Sequence, residues 1–190
     1  MTSVGENLSV ETHTPRPKST THNCTKERKA AKKMSANAKK SSKASRMFPG
    51  LHEEVAAAVS SHVSLTRFHQ SKTGEKPNNI YSTFVMGHFN CYNPRCKSHS
   101  WSSGQITILI RGFPGFAYDA EVFGQRCRGC KRLGKLVMDK QSYVERVSYR
   151  VLIWAGVQLE RPSYVAKATP PHEKELCEGC RRSICRWSGK

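Results

Sequence analysis

Acidic residues are scarce in this chain: 14 Asp and Glu stand against 32 Lys and Arg in 190 residues, a formal net charge of +18. The surplus is spread over the whole length, with +8 in residues 1–47 and +10 in the remainder. Such a surplus implies a polyanionic partner, RNA or another nucleic acid first and an anionic membrane surface second, since both attract Lys and Arg through long-range fields. Long apolar runs are also missing. The best candidates, Ile106–Ile110 and Val151–Ala155, fall far short of the roughly 20 residues a membrane helix needs, so no transmembrane segment is expected. The first thirty residues contain no apolar core, so a secretory signal is not expected either. That places the protein in a reducing compartment, cytoplasmic and/or nuclear. A hydrophobic content of 37% is low for a chain folded throughout, and part of it is expected to be unfolded. Three catalytic signatures are lacking as well: a Cys-His-Asn arrangement, a phosphate loop, and the combination of His-x-Glu with a following Pro-Cys-x-x-Cys that zinc deaminases use.

The unfolded part is expected at residues 1–47, where Thr, Ser, Lys and Asn dominate and too little apolar surface exists to offset the entropy of ordering the chain. Alanines among the lysines of residues 26–46 allow a transient helix without an apolar face. This charge run is either a solvated tail or a nuclear-import or nucleic-acid patch. Cys24 lies alone in it and reads as a bystander. A folded domain is expected over residues 48–187. It would begin with a short helix at about residues 51–63, carrying Leu51, Val55, Ala58 and Val59 on one side. Thr73–Pro77 matches the linker between tandem two-Cys, two-His fingers, but only Cys24 precedes His62 and His69, so no such finger exists here.

From Ile80 the apolar period becomes two, and Ile80–Met86 and Gln105–Ile110 read as strands. Phe116–Phe123 and Leu133–Met138 are weaker strands, expected to pair as the two arms of a hairpin around the Cys127–Cys130 turn. Gln141–Ala155 reads as a helix with Val144, Val147, Val151 and Trp154 on one stripe and Gly156 placed to stop it. Arg161–Pro171 reads as a loop. The fold class is therefore α+β: a small zinc-stabilised domain of antiparallel hairpins with cysteine knuckles and one packed helix, preceded by a disordered basic tail.

Eight cysteines clustered in a reducing compartment favour metal thiolates over disulfides. The pairs are Cys91-x4-Cys96, Cys127-x2-Cys130 and Cys177-x2-Cys180, with Cys185 five residues further on. Two thiolates two residues apart reach one zinc ion at about 2.3 Å through a tight turn, and the four-residue spacer of the first pair, with Pro94, is looser. Gly129 and Gly179 lie inside two of the turns, where a positive φ is expected. A structural zinc takes four protein ligands. His172, Cys177, Cys180 and Cys185 supply one set, and Cys91, Cys96, Cys127 and Cys130 supply a ribbon-like second, giving two zinc ions. His99 competes with His172 as the eighth ligand, and Cys91 with Cys96 has the alternative of being a pair of buried free thiols.

The stretches Gly87–Cys91, Trp101–Gly104, Gln125–Cys130, Tyr143–Val147 and Pro171–Cys180 occur in the order seen in the zinc-binding family named for its three Cys-x-x-Cys motifs. The chain from Phe48 to about Trp187 resembles that family, which includes the receptor-transporting and zygote arrest proteins. Phe48–His52 and the Asn-Pro-Arg-Cys form of the first pair are most similar to its fungal members. The resemblance implies zinc bound by these cysteines. It implies either an RNA-binding role, as in zygote arrest proteins, or a receptor-escort role. The C-terminal membrane anchor typical of the escorts is not expected here.

The leading expectation is a non-enzymatic zinc module that binds RNA or another polyanion. The cations for it are Arg126, Arg128, Lys131 and Arg132 around the second pair and Arg181, Arg182 and Arg186 around the third. Trp101, Trp187 and Phe116 are either core residues or platforms for unpaired bases, with Trp101 assigned to the core. The rival expectation is a protein-interaction or trafficking adaptor that holds a partner protein.

Overall fold

A computed structural model describes residues 43–70, 74–160 and 171–188, all within the unit Lys40–Lys190. The expectations for residues 1–42, Cys24 among them, and for the loop at residues 161–170 lie outside the described residues. In chain order the elements are β1 (Ser45–Met47), a 3-10 turn (Pro49–Leu51), α1 (His52–Val59), β2 (Arg67–Phe68), β3 (Asn79–Asn90), β4 (Ser100–Phe113), β5 (Ala117–Phe123), β6 (Lys135–Met138), α2 (Lys140–Trp154), a second 3-10 turn (Lys174–Leu176) and α3 (Glu178–Arg181).

The β-branched run in β4 sets the centre of the sheet. Ile106, Ile108 and Ile110 are fully buried and alternate along the strand, so one face of β4 packs inward over its middle. β4 pairs antiparallel with β3 on one side and with β5 on the other, and the sheet runs β1-β5-β4-β3-β6. β2 adds a short parallel pairing to the start of β5. Val85 and Phe89 of β3 and Tyr118, Ala120 and Val122 of β5 join the isoleucines, and α1 and α2 close the core through Val55, Val59, Tyr143, Val147 and Val151.

Both weaker strands form, but they do not pair with each other. β5 lies beside β4 and β6 lies beside β3, on opposite sides of the central pair. Burial explains the choice: six of the seven β5 residues are buried, as suits a strand covered on both faces, whereas β6 alternates between exposed and half-buried, as suits an edge. Only an isolated Arg126–Leu133 bridge remains of the expected hairpin. Regular structure is also present before Phe48. Ser45–Met47 pairs with Glu121–Phe123, and the Ser45 hydroxyl donates to Glu121 at 2.5 Å. Three residues are too few to display a period of two.

The first helix is shorter than expected: regular helix covers only His52–Val59, with Leu51 closing a 3-10 turn that Pro49 opens and residues 60–62 forming a turn at the other end. Leu51, Val55 and Val59 face the core, while Ala58 is exposed. α2 begins where Asp139 accepts a hydrogen bond from the Ser142 N–H. It ends at Gly156 with φ +83, where the Gly156 N–H donates to Ile153 and the Val157 N–H to Leu152, a Schellman arrangement. Its buried stripe is centred on Tyr143, Val147 and Val151, with Val144 and Trp154 at the margins.

Trp154 reaches the sheet at Gly112, where an added Cβ would sit 2.8 Å from the indole. Gly112→Ala is expected to destabilise by about 1–3 kcal/mol through overpacking. In a Trp154→Ala background the same change should cost much less, a coupling that denaturant midpoints of the four proteins would measure.

Candidate metal centres

Cys91 immediately follows β3 and Cys96 lies in the loop before β4, so the tip of this hairpin presents two sulfurs. The Cys127–Cys130 turn follows β5. The four Sγ atoms lie within 4.8 Å of one another, with Cys91–Cys130 and Cys96–Cys127 both at 3.6 Å. A disulfide would require about 2.05 Å, and all seven cysteines among the described residues are free. Tetrahedral zinc with sulfurs at about 2.3 Å places those sulfurs about 3.8 Å apart. The donor set fits zinc.

The second turn has the hydrogen bonding of a knuckle. The Lys131 N–H donates to the Cys127 carbonyl and the Cys127 N–H to the Arg132 carbonyl, both at 2.8 Å. The backbone N–H of Arg132 lowers the Cys130 thiol to about 6, against the opposing effect of burial. Burial instead pushes Cys91 up to about 12. Here the expected glycine role is corrected. The positive φ values fall on Lys131 (58) and Ser183 (57), not on Gly129 or Gly179. Both glycines are needed for close approach. A Cβ on Gly129 would come within 3.2 Å of the Cys96 sulfur, and one on Gly179 within 2.6 Å of the Thr107 hydroxyl.

The other set, His172, Cys177, Cys180 and Cys185, also has donor atoms within 4.8 Å of one another. His172 Nε2 lies 3.2 Å from Cys180 Sγ and 3.7 Å from Cys185 Sγ, close to the roughly 3.6 Å that one nitrogen and one sulfur adopt around tetrahedral zinc. Burial lowers the His172 pKa, which favours the neutral imidazole a metal requires, and burial raises the Cys180 thiol. Thr107 of β4 places its hydroxyl 3.5 Å from the Cys177 sulfur, a contact of the kind that orients a metal ligand. Thr107 could not be singled out in the sequence, because it reads as one more residue of an apolar strand. His99, the rival ligand, is exposed and belongs to neither set; its carbonyl accepts from the Cys91 N–H at 2.8 Å.

The two centres are tied together through the strand end between them. Gln125 bridges to Cys177, the Arg126 N–H donates to Leu176 at 2.7 Å, and the Glu178 N–H donates to Gly124 at 3.1 Å. Side chains repeat the connection. Arg126 Nε donates to buried Glu178 at 2.6 Å, and Arg128 pairs with Glu173. Arg181 lies 3.8 Å from Glu178, and Arg182 lies 3.9 Å from Glu121 with its guanidinium over the Phe123 ring. Lys131 and Arg132 are exposed, with no carboxylate partner among the described residues. Trp101 stacks on Phe89 and donates to Gln125 at 3.2 Å, and Trp187 lies half-buried against Phe84, whereas Phe116 is exposed.

A sheet that carries two four-donor, sulfur-rich centres on its loops defines a zinc-binding module. The chain belongs to the 3CxxC zinc-ribbon family, whose zinc-binding domain matches residues 84–183. That match takes in all three cysteine pairs and His172, and ends two residues before Cys185. No curated protein and no solved structure matches the chain.

The purified protein is expected to carry two zinc ions, and Cys127→Ser and His172→Ala each to carry fewer, as elemental analysis would report. The isoleucine core lies largely apart from the sulfurs, so a strong chelator should first release protection at residues 91–99, 125–134 and 172–187 in hydrogen exchange, while β4, β5 and α2 stay protected. Simultaneous loss everywhere would show that metal and core fold as one unit. Gly179→Ala should destabilise by about 1–3 kcal/mol, because its Cβ meets Thr107 on a central strand.

Proposed function

We propose that this protein is a non-enzymatic zinc module that binds RNA through a basic surface built around its first metal centre. Four protein donors at each centre leave no open position for a substrate, which supports a structural role for zinc. The observation that carries the binding reading is an absence of carboxylates. No Asp or Glu occurs between Glu75 and Asp119 or between Glu121 and Asp139, and these two stretches supply all four ligands of the first centre. Arg95 and Lys97 flank Cys96, and Lys131 and Arg132 follow Cys130, all of them exposed. A knuckle fixed by metal presents such cations without the entropy that a flexible loop would lose on meeting phosphates. No helix among the described residues is long and apolar enough to cross a membrane. The cytoplasm or nucleus, where RNA is found and thiolates stay reduced, is the proposed site of action.

Titration of a short single-stranded RNA across a salt series tests this. The logarithm of the affinity should fall linearly with the logarithm of salt, and a Lys131→Ala, Arg132→Ala double variant should flatten the slope by about 1.4, roughly 0.7 for each lost phosphate contact. A protein that binds no RNA at low salt, yet retains a partner protein after nuclease treatment, would instead be an interaction adaptor.

A further inference from the structure

Tyr92 is large, aromatic and 56% exposed, yet it follows a metal ligand directly and occupies a loop with little freedom. The Cys91 N–H donates to His99 at 2.8 Å, the Cys96 N–H to Asn93 at 2.9 Å, and the Arg95 N–H to the Asn93 side chain at 3.3 Å. With Cys91 and Cys96 both tied to one ion, the backbone beneath the ring is held at both ends. The Lys135 ammonium lies 5.5 Å from the ring centroid, a cation–π contact that further orients the ring. Nothing in the core accounts for an aromatic residue at this position.

Every Asp- and Glu-free stretch that supplies this centre carries Lys and Arg as its only charged side chains besides histidine. Arg95 and Lys97 share the loop with Tyr92, Lys135 lies against its ring, and Lys131 and Arg132 follow Cys130, whose sulfur is 3.6 Å from that of Cys91. Both stretches of chain lack carboxylates, as described above. An exposed ring on a constrained loop, among cations that have no carboxylate partner among the described residues, is what an unpaired nucleobase recognises: it stacks on the ring while its flanking phosphates meet the cations. The geometry points to Tyr92 as the base-stacking platform of this protein, with single-stranded RNA as its ligand and Lys135, Arg95 and Lys131 as the flanking phosphate contacts. This rests on the RNA-binding reading above and adds what that reading leaves open, namely that the site reads bases as well as charge.

Stacking and phosphate contact respond differently to salt and to the chemistry of the ligand. The experiment therefore compares the unaltered protein, Tyr92→Ala and Tyr92→Phe against three probes: a short single-stranded RNA, the same RNA annealed to its complement, and inorganic polyphosphate, which has charge but no bases. Zinc content and circular dichroism establish that each variant is folded. Tyr92→Ala should weaken single-stranded RNA binding about ten-fold with an unchanged salt slope, and Tyr92→Phe should retain affinity, because the ring face is what a base uses. Duplex RNA and polyphosphate should bind equally to all three proteins. If Tyr92→Ala binds single-stranded RNA as well as the unaltered protein, or loses polyphosphate to the same extent, the platform is overturned while RNA binding stands. If the unaltered protein binds no RNA, the functional reading falls and this inference with it.

Discussion

The joining of the segments outside the core depends on the charge of thiolates. A cysteine sulfur that ligates zinc is an anion, and four donor atoms gathered within 4.8 Å would repel one another, or protonate, without a dication between them. The opposite effects of environment on Cys91 and Cys130 express this tension: burial drives one thiol up, and a knuckle N–H draws the other down. The metal resolves it for both at once. The tip of the β3–β4 hairpin and the segment after β5 are thereby joined across 31 residues of sequence between Cys96 and Cys127.

The second centre serves a different purpose, because it lies against the sheet rather than at its tip. Thr107, on the central strand, touches both the Cys177 sulfur and the space that a side chain at Gly179 would fill. The C-terminal cysteines are therefore docked on β4 as well as folded around an ion. Since Gln125 and Arg126 form backbone contacts with Leu176 and Cys177, a shift in one centre moves the strand end that leads into the other. Zinc does not replace a hydrophobic interior here. The isoleucines of β4 and the valines of the two helices form a substantial one, and the metal secures the segments that this core does not reach.

Much of this was legible from short-range pattern. Cysteine spacing is local information, so the two donor sets could be read before any contact was known, and Gly156 marks the end of α2 through capping chemistry that needs no distant partner. Pairing partners were not legible in the same way. β5 and β6 both show strand character, but which strand each joins depends on how thoroughly its faces are buried, and Ala117–Phe123 contains Asp119 and Glu121, which hide its central position. Asp119 is tolerated there because Arg111 on the neighbouring strand donates to it at 2.7 Å, a relation between residues eight apart that no periodicity displays. The glycines misled for a similar reason. Gly129 and Gly179 look like turn residues, yet their constraint comes from Cys96 and Thr107, which are distant in sequence.

The same dependence on distant partners divides the cations of the second knuckle. Arg126, Arg128, Lys131 and Arg132 stand within seven residues, and by composition all four suit a polyanion equally. Glu178 and Glu173, which belong to the other centre, engage the first two; Arg126, held by buried Glu178, acts within the protein and stiffens the connection between its metal sites, whereas the Arg128–Glu173 pair lies at the surface. Buried Glu178 would be costly without such a partner. Lys131 and Arg132 sit past the turn, where no carboxylate of the described chain meets them, and their charge remains directed at solvent. A basic motif thus separates into an internal brace and an external surface at the Cys130 ligand. The external half follows Cys130, whose sulfur lies 3.6 Å from that of Cys91, the neighbour of Tyr92 in the chain, and this asymmetry, rather than total charge, is what singles out the surface proposed to meet nucleic acid.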